Sequence, residues 1–101
     1  MAIETQTVTI TSTETYAEDV DMINATSDVL ITSADVDDVA MYEFIMEELN
    51  AASFSRTFED NNRIIVERTY DAVHSDQVKS FYNIAKSAWE SAGFTVDITY
   101  T

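Results

Sequence analysis

The sequence of 101 residues contains no cysteine, no proline and a single glycine, Gly93. Without cysteine the chain forms neither disulfides nor the sulfur-rich zinc sites that need thiolate ligands. A phosphate-binding loop needs several closely spaced glycines, so nucleotide sites of that kind are excluded as well. We therefore predict that the protein carries no cofactor.

Positive charge is also scarce: five Lys and Arg stand against 19 Asp and Glu, for a net charge of −14. Residues 1–55 hold 12 acidic residues and no basic one, whereas residues 56–101 hold 7 acidic and 5 basic residues. Nucleic acid and anionic lipid would both repel such a chain, so we expect neither as a direct partner. A charged partner should instead present a basic protein surface.

The chain also lacks any long hydrophobic run. No segment approaches the roughly 18 apolar residues of a membrane span, and the N-terminus has neither the basic nor the apolar region of a secretory signal. The expected location is the cytoplasm. A hydrophobic fraction of 46% is ordinary for a folded protein, and the length predicts one domain over residues 1–101.

The first third of the sequence predicts three elements. Thr residues alternate with Val8 and Ile10 over residues 6–13, which is typical of a half-buried strand. Thr15 and Glu18 have the spacing of a capping box, which favours a short helix over 16–24. The apolar run in "SDVLITS" then indicates a buried strand over 28–33.

The remaining residues predict two helices and three strands. A helix capped by Asp35 should run from Val36 to residue 52, and strand-like runs around Asp60-Asn61-Asn62 predict a hairpin over 54–71. A two-residue loop would pair Arg56 with Glu67, and a three-residue loop would pair Glu59 with Arg63. Ser75 should cap a second helix that Gly93 ends, followed by a strand over 94–101.

From residue 28 onward this order is β-α-β-β-α-β. It predicts an α+β ferredoxin-like βαββαβ sandwich, in which two helices pack on an antiparallel sheet. On this interpretation residues 28–101 form the core. Residues 1–27 add an extra N-terminal strand and a short helix, and this Thr-rich strand is also a candidate for homo-oligomer formation by strand pairing.

No catalytic or metal site stands out. His74 lies between Asp71 and Asp76, but it is more simply a loop residue before the second helix. Calcium loops counted from Asp35 or Asp19 lack the Gly and Glu that an EF-hand requires. Among 19 carboxylates no pair is distinguished as an acid/base pair, so we predict a protein that is not an enzyme.

The acidic half supplies the candidate partner-binding residues. Acidic residues in the first turn of a helix stabilise it by about 0.3 to 1 kcal/mol each, which accounts for part of the cluster. The pair Glu43 and Glu47 is not explained in this way, because like charges one turn apart destabilise a helix. The predicted binding residues are Glu18, Asp19, Asp21, Asp37, Asp38, Glu43 and Glu47.

In length, acidity and lack of catalytic residues the chain resembles the small inhibitors that phages and mobile elements direct at host nucleases, polymerases or CRISPR effectors. The resemblance implies a mimic of nucleic-acid charge that acts in the host cytoplasm on a nucleic-acid-binding protein. Two alternatives stay open at this point. One is a structural or accessory subunit of a larger assembly such as a virion, and the other is an acidic surface adapted to solubility or high salt.

Overall fold

The computed structural model describes residues 2–33 and 54–101. Its strands are β1 (Ile3–Thr11), β2 (Phe54–Glu59), β3 (Arg63–Asp71) and β4 (Thr95–Tyr100). Its helices are α1 (Asp19–Ser33) and α2 (Ser75–Ser91), and a short 3₁₀ turn (Ala72–His74) leads into α2. The helix predicted over 36–52 lies outside the described residues.

The four strands form one antiparallel sheet in the order β2-β3-β1-β4. Strand β1 is central and pairs with β3 and β4, so Ile10 lies beside both Ile64 and Val96. Gln6, Val8 and Ile10 are buried on the side that carries the helices, whereas the threonines between them lie on the open face. The alternation of Thr with Val8 and Ile10 thus belongs to a strand with one buried face, as predicted.

The N-terminal strand is not an addition to the fold. Prediction placed the first core strand at 28–33, but β1 takes that place and residues 28–33 are the last turns of α1. The division into an extension over 1–27 and a core over 28–101 therefore does not hold. Element order and strand order together make this a ferredoxin-like α+β fold, in which the sheet begins at Ile3.

The helical state of residues 28–33 follows from the burial pattern of α1. Among residues 19–30 the buried side chains recur every fourth residue: Met22, Thr26 and Leu30. This stripe faces the core, and it crosses the boundary at which the predicted helix ended. The strand prediction was wrong because three consecutive apolar residues fit a helix or a strand equally well when they are read alone.

Helix α2 matches its prediction closely. Its buried residues share one face: Val78, Phe81, Tyr82, Ala85 and Trp89. The indole Nε1 of Trp89 donates to the carbonyl of Thr26 at 2.9 Å, which joins the two helices. Gly93 has φ 101° and its N–H donates to the carbonyl of Glu90, while the N–H of Phe94 donates to the carbonyl of Trp89. These two bonds form a Schellman motif, for which glycine is the favoured residue.

The hairpin adopts the register of a three-residue loop, with Glu59 opposite Arg63. Asp60 and Asn61 have φ of 54° and 59°, in the left-handed region that these residue types tolerate. The Asn61 side chain donates to the carbonyl of Tyr16 at 3.0 Å, and that of Asn62 donates to the carbonyl of Ser12 at 3.2 Å. The loop therefore also holds the connection between β1 and α1.

Candidate functional site: the acidic start of α1 and the Glu4 cluster

Three of the predicted binding residues lie where α1 begins. Glu18 directly precedes the helix and is exposed, and its carbonyl accepts the N–H of Asp21 at 3.2 Å. Asp21 is exposed in the first turn. Negative charge is favourable here, because the first N–H groups of a helix lack partners within it.

Asp19 differs from its neighbours because it forms an ion pair. Its Oδ2 lies 3.0 Å from the guanidinium of Arg56 on β2, and the two side chains are 41% and 36% exposed. This bond connects the start of α1 to the edge strand. Much of the negative charge of Asp19 is balanced within the protein, so Asp19 contributes less to an acidic surface than Glu18 and Asp21 do. The predicted residues Asp37, Asp38, Glu43 and Glu47 lie outside the described residues.

The outer side of α1 carries a further exposed carboxylate that sequence reasoning missed. Asp21, Asn24 and Asp28 are exposed and recur with helical spacing. Seven residues separate Asp21 from Asp28, which corresponds to about 10 Å along the helix axis. The i, i+7 spacing was available as a signal, but it disappeared when residues 28–33 were interpreted as a strand.

A second polar cluster, which we call the Glu4 cluster, lies between the sheet and the first turns of α2. It consists of Glu4, Gln6, Tyr70, Ser75, Lys79 and Tyr100. Oε1 of Glu4 accepts the hydroxyl of Tyr70 at 2.5 Å, and both carboxylate oxygens lie 3.0 Å from the hydroxyl of Ser75. The ammonium of Lys79 lies 3.9 Å from Oε2. One carboxylate from β1 therefore holds β3 and α2 together.

These contacts lower the pKa of Glu4 below its ordinary value of 4.5. The hydrogen bond from Tyr70 is the largest cause, and the hydroxyl of Ser75 and the charge of Lys79 act in the same direction against the effect of burial. General acid–base catalysis near neutral pH requires a carboxyl pKa that is raised. The lowered pKa favours a permanently ionised acceptor, which suits a structural anchor.

The tyrosines of the cluster shift in the opposite direction. Burial, followed by the hydrogen bond to Glu4, raises the pKa of Tyr70, and burial raises the pKa of Tyr100. Both hydroxyls therefore remain protonated at physiological pH, that of Tyr70 as a donor to Glu4 and that of Tyr100 as the acceptor from Gln6. The ammonium of Lys79 lies 4.9 Å from the centre of the Tyr100 ring, which is a cation–π contact.

Gln6 is the least exposed polar residue of the cluster. Its side chain is fully buried, and Nε2 donates to the hydroxyl of Tyr100 over a long 3.4 Å. Its Oε1 is buried and has no hydrogen-bond partner among the described residues. Exchange of the amide O and N would only reverse the direction of the bond, with the hydroxyl of Tyr100 as donor, and it would leave the NH₂ group without an acceptor.

Before α2 the structure changes the predicted role of Ser75. Ser75 is the first residue of the helix rather than its cap, and its hydroxyl donates a hydrogen bond to the carboxylate of Glu4. Asp71 caps the 3₁₀ turn by accepting the N–H of Val73 at 3.0 Å, and His74 lies in that turn. Within residues 2–33 and 54–101 no group of three or more His, Asp or Glu side chains is placed to hold a metal ion.

Comparison with known proteins supports the fold alone. No protein-family model and no curated protein sequence matches the chain. A dimeric ferredoxin-like protein from an uncultured marine organism is similar in structure, with a TM-score of 0.55 and 10% identity over 99% of this chain and 86% of that chain.

Two further structures are similar at lower scores. Another dimeric ferredoxin-like protein from an uncultured marine organism gives a TM-score of 0.48 and 16% identity, over 98% of this chain and 92% of that one. A de novo designed protein with a ferredoxin fold gives 0.46 and 14%, over 99% and 85%. None of the helices in the described part of the chain has the length and apolar character needed to cross a membrane.

Proposed function

We propose that the protein is a non-enzymatic binding protein whose acidic N-terminal region contacts a basic surface on a nucleic-acid-binding protein. The observation that carries the proposal is the charge of residues 2–33: they include six carboxylates and no Lys or Arg. Four of these side chains are exposed: Glu14, Glu18, Asp21 and Asp28. Carboxylates presented in this way attract a surface that normally binds phosphates.

The expected binding mode is electrostatic. A field of one sign steers a basic partner toward α1 and speeds association, and the attraction weakens as salt screens it. Glu18 and Asp21 are the central residues of the described surface, because Asp19 is already paired with Arg56. Asp37, Asp38, Glu43 and Glu47 follow α1 in the sequence and belong to the same proposal.

Charge reversal on α1 tests this function. The double variant E18K/D21K should lose capture of basic nucleic-acid-binding proteins from a host lysate at low salt, because it changes the net charge of the surface by +4. Proteins captured by the unchanged chain should be released by high salt and identified as nucleases, polymerases or repressors.

The matched control is D76K/E90K on α2. Asp76 and Glu90 are exposed, Asp76 lies in a first helical turn as Asp21 does, and the change in net charge is the same. This variant should retain capture, because Lys79 and Lys86 already interrupt the acidic residues of α2. Equal capture by the two variants would show that total charge, and not the α1 surface, recruits the partner.

The second candidate function is a subunit of a larger assembly that adds strands edge to edge. Strand β1, which suggested this idea, is paired on both sides and has no free edge. The observation that favours assembly is instead β4, which among the described strands pairs with β1 alone. Deleting residues 1–14 would remove the centre of the sheet, so it is not a selective test of assembly.

A further inference from the structure

In residues 2–33 and 54–101 the sheet ends at β4, and the backbone groups that face this free edge can be identified. Thr5 and Thr101 exchange backbone hydrogen bonds of 2.9 Å in both directions. In an antiparallel ladder every second residue directs its N–H and C=O to the partner strand, and the residues between direct theirs away. Since Thr101 faces β1, the backbone groups that face the free edge belong to Val96, Ile98 and Tyr100.

This edge has few of the features that usually prevent strand pairing. Charged side chains, especially Lys, and Pro commonly protect edge strands, and β4 has neither Lys nor Pro. Its one charge is Asp97, in a chain of net charge −14. The other residues of β4 are Thr, Val, Ile and Tyr, which favour strands. In the part of the chain that the structure describes, no strand or loop pairs with this edge.

We propose that β4 pairs in antiparallel fashion with β4 of a second copy of this chain, so that two sheets become one continuous sheet. A two-fold axis relates the copies, which closes the assembly at a dimer. The occupant is a second copy because β4 carries a single charge and has a register with itself in which no two like charges are opposed. A basic peptide would find only one acidic side chain on β4, Asp97. An acidic peptide would be repelled by the negative charge of the molecule, as a second copy is, but it would lack the matched register described below.

The register of the pairing follows from backbone direction and charge. With the axis at Ile98, Ile98 lies opposite its own copy and Val96 lies opposite Tyr100 of the second copy. The backbone groups that face the edge then meet one another and form about six hydrogen bonds. Asp97 lies opposite Thr99 of the second copy. An axis at Asp97 would oppose two carboxylates directly, which destabilises a cross-strand pair.

The dimer has a salt dependence opposite to that of partner binding. Each copy carries a net charge of −14, so the copies repel each other at low salt. Screening of this repulsion strengthens the dimer, whereas screening weakens capture of a basic partner. Failure of either proposal is therefore distinguishable from failure of the other.

Substitutions at Thr99 test the dimer and its register. Thr99 is exposed on the open face, so a charged side chain there leaves the core unchanged. T99K should tighten the dimer, because each Lys faces Asp97 of the second copy, and T99E should weaken it. Two symmetry-related pairs predict a change of about two- to thirtyfold in the dimer dissociation constant in each direction. Sedimentation equilibrium at high salt measures it.

The controls are S87K and S87E, which change the net charge equally at an exposed position of α2. If substitutions at 99 and 87 shift dissociation equally, the pairing is not at β4. Amide exchange supplies a second measurement: the N–H groups of Val96, Ile98 and Tyr100 should become protected as protein concentration rises, while those of Thr95 and Thr99 are protected throughout. A protein that stays monomeric at every soluble concentration in high salt overturns the proposal.

Discussion

At the scale of single residues, Glu4 joins β1 to β3 and α2 through one carboxylate. E4Q should lower the free energy of unfolding at neutral pH by about 1 to 3 kcal/mol, because the donors of Tyr70 and Ser75 and the charge of Lys79 lose an ionised acceptor. Urea unfolding at neutral pH measures this loss.

The same variant should also change the pH dependence of stability. The pKa of Glu4 is lower in the folded protein than its ordinary value of 4.5, so the unfolded chain binds the proton more readily. The contribution of Glu4 is therefore present above that value and is lost as pH falls through the folded pKa. E4Q and the unchanged chain should converge in stability in acid, whereas E90Q, at an exposed carboxylate of α2, should follow the unchanged chain throughout.

Sequence reasoning could not find the Glu4 cluster. Its members Glu4 and Tyr70 are 66 residues apart, and Ser75 lies 71 residues from Glu4. Each residue type has an ordinary local interpretation: Glu4 as one acid among 19, and Ser75 as a helix cap. Only the register of β1 with β3, which places Glu4 beside Tyr70, brings the groups together.

At the scale of secondary-structure elements, the β2–β3 loop allows the cost of a positive φ to be measured separately from the contribution of a side-chain hydrogen bond. Asp60 and Asn61 both have positive φ, but only the Asn61 side chain bonds across to Tyr16. D60G should stabilise the protein by up to about 1 kcal/mol by relieving the left-handed conformation. N61G relieves the same conformation but loses a hydrogen bond, so it should be less stable than D60G by about 0.5 to 1.5 kcal/mol.

Thermal unfolding of the two loop variants, measured side by side, checks this difference. The ion pair of Asp60 with Arg63 is long, at 4.0 Å, and exposed, so its loss in D60G should matter little. Equal stability of the two variants would mean that the bond from Asn61 to Tyr16 does not hold the β1–α1 connection in solution.

Elements with complete local signals were predictable from the sequence, and the others were not. Helix α2 has a long apolar stripe and Gly93 at its end, and β4 alternates over its whole length, so both have the predicted type and place. Residues 28–33 contain only one apolar run, and the burial of Leu30 in line with Met22 and Thr26 shows that they continue the helix. As a result, the prediction assigned the first strand of the fold to residues 28–33, which belong to α1, instead of to β1.

At the scale of the whole molecule, a net charge of −14 destabilises the folded protein through repulsion between like charges, and salt screens this repulsion. The free energy of unfolding should rise between low and high sodium chloride, with little change in the urea m-value, because screening reduces repulsion among carboxylates. Urea is the suitable denaturant since it carries no charge.

The size of this rise distinguishes two uses of the acidity. A protein that needs high salt to fold would be unfolded at low salt, as expected for salt adaptation. A chain that is folded at low salt and captures a basic partner there has its charge available for binding. E18K/D21K should show a smaller rise with salt than the unchanged chain, and an identical rise would indicate that the start of α1 contributes little to the repulsion.

Trp89 gives the molecule an intrinsic optical probe. It is the sole tryptophan of the chain, its side chain is 6% exposed, and its indole donates to a main-chain carbonyl of α1. The emission of a shielded indole shifts to the red when water reaches it. Any event that tilts α1, the helix with the exposed acids, away from α2 would therefore shift the emission wavelength of the unlabelled protein.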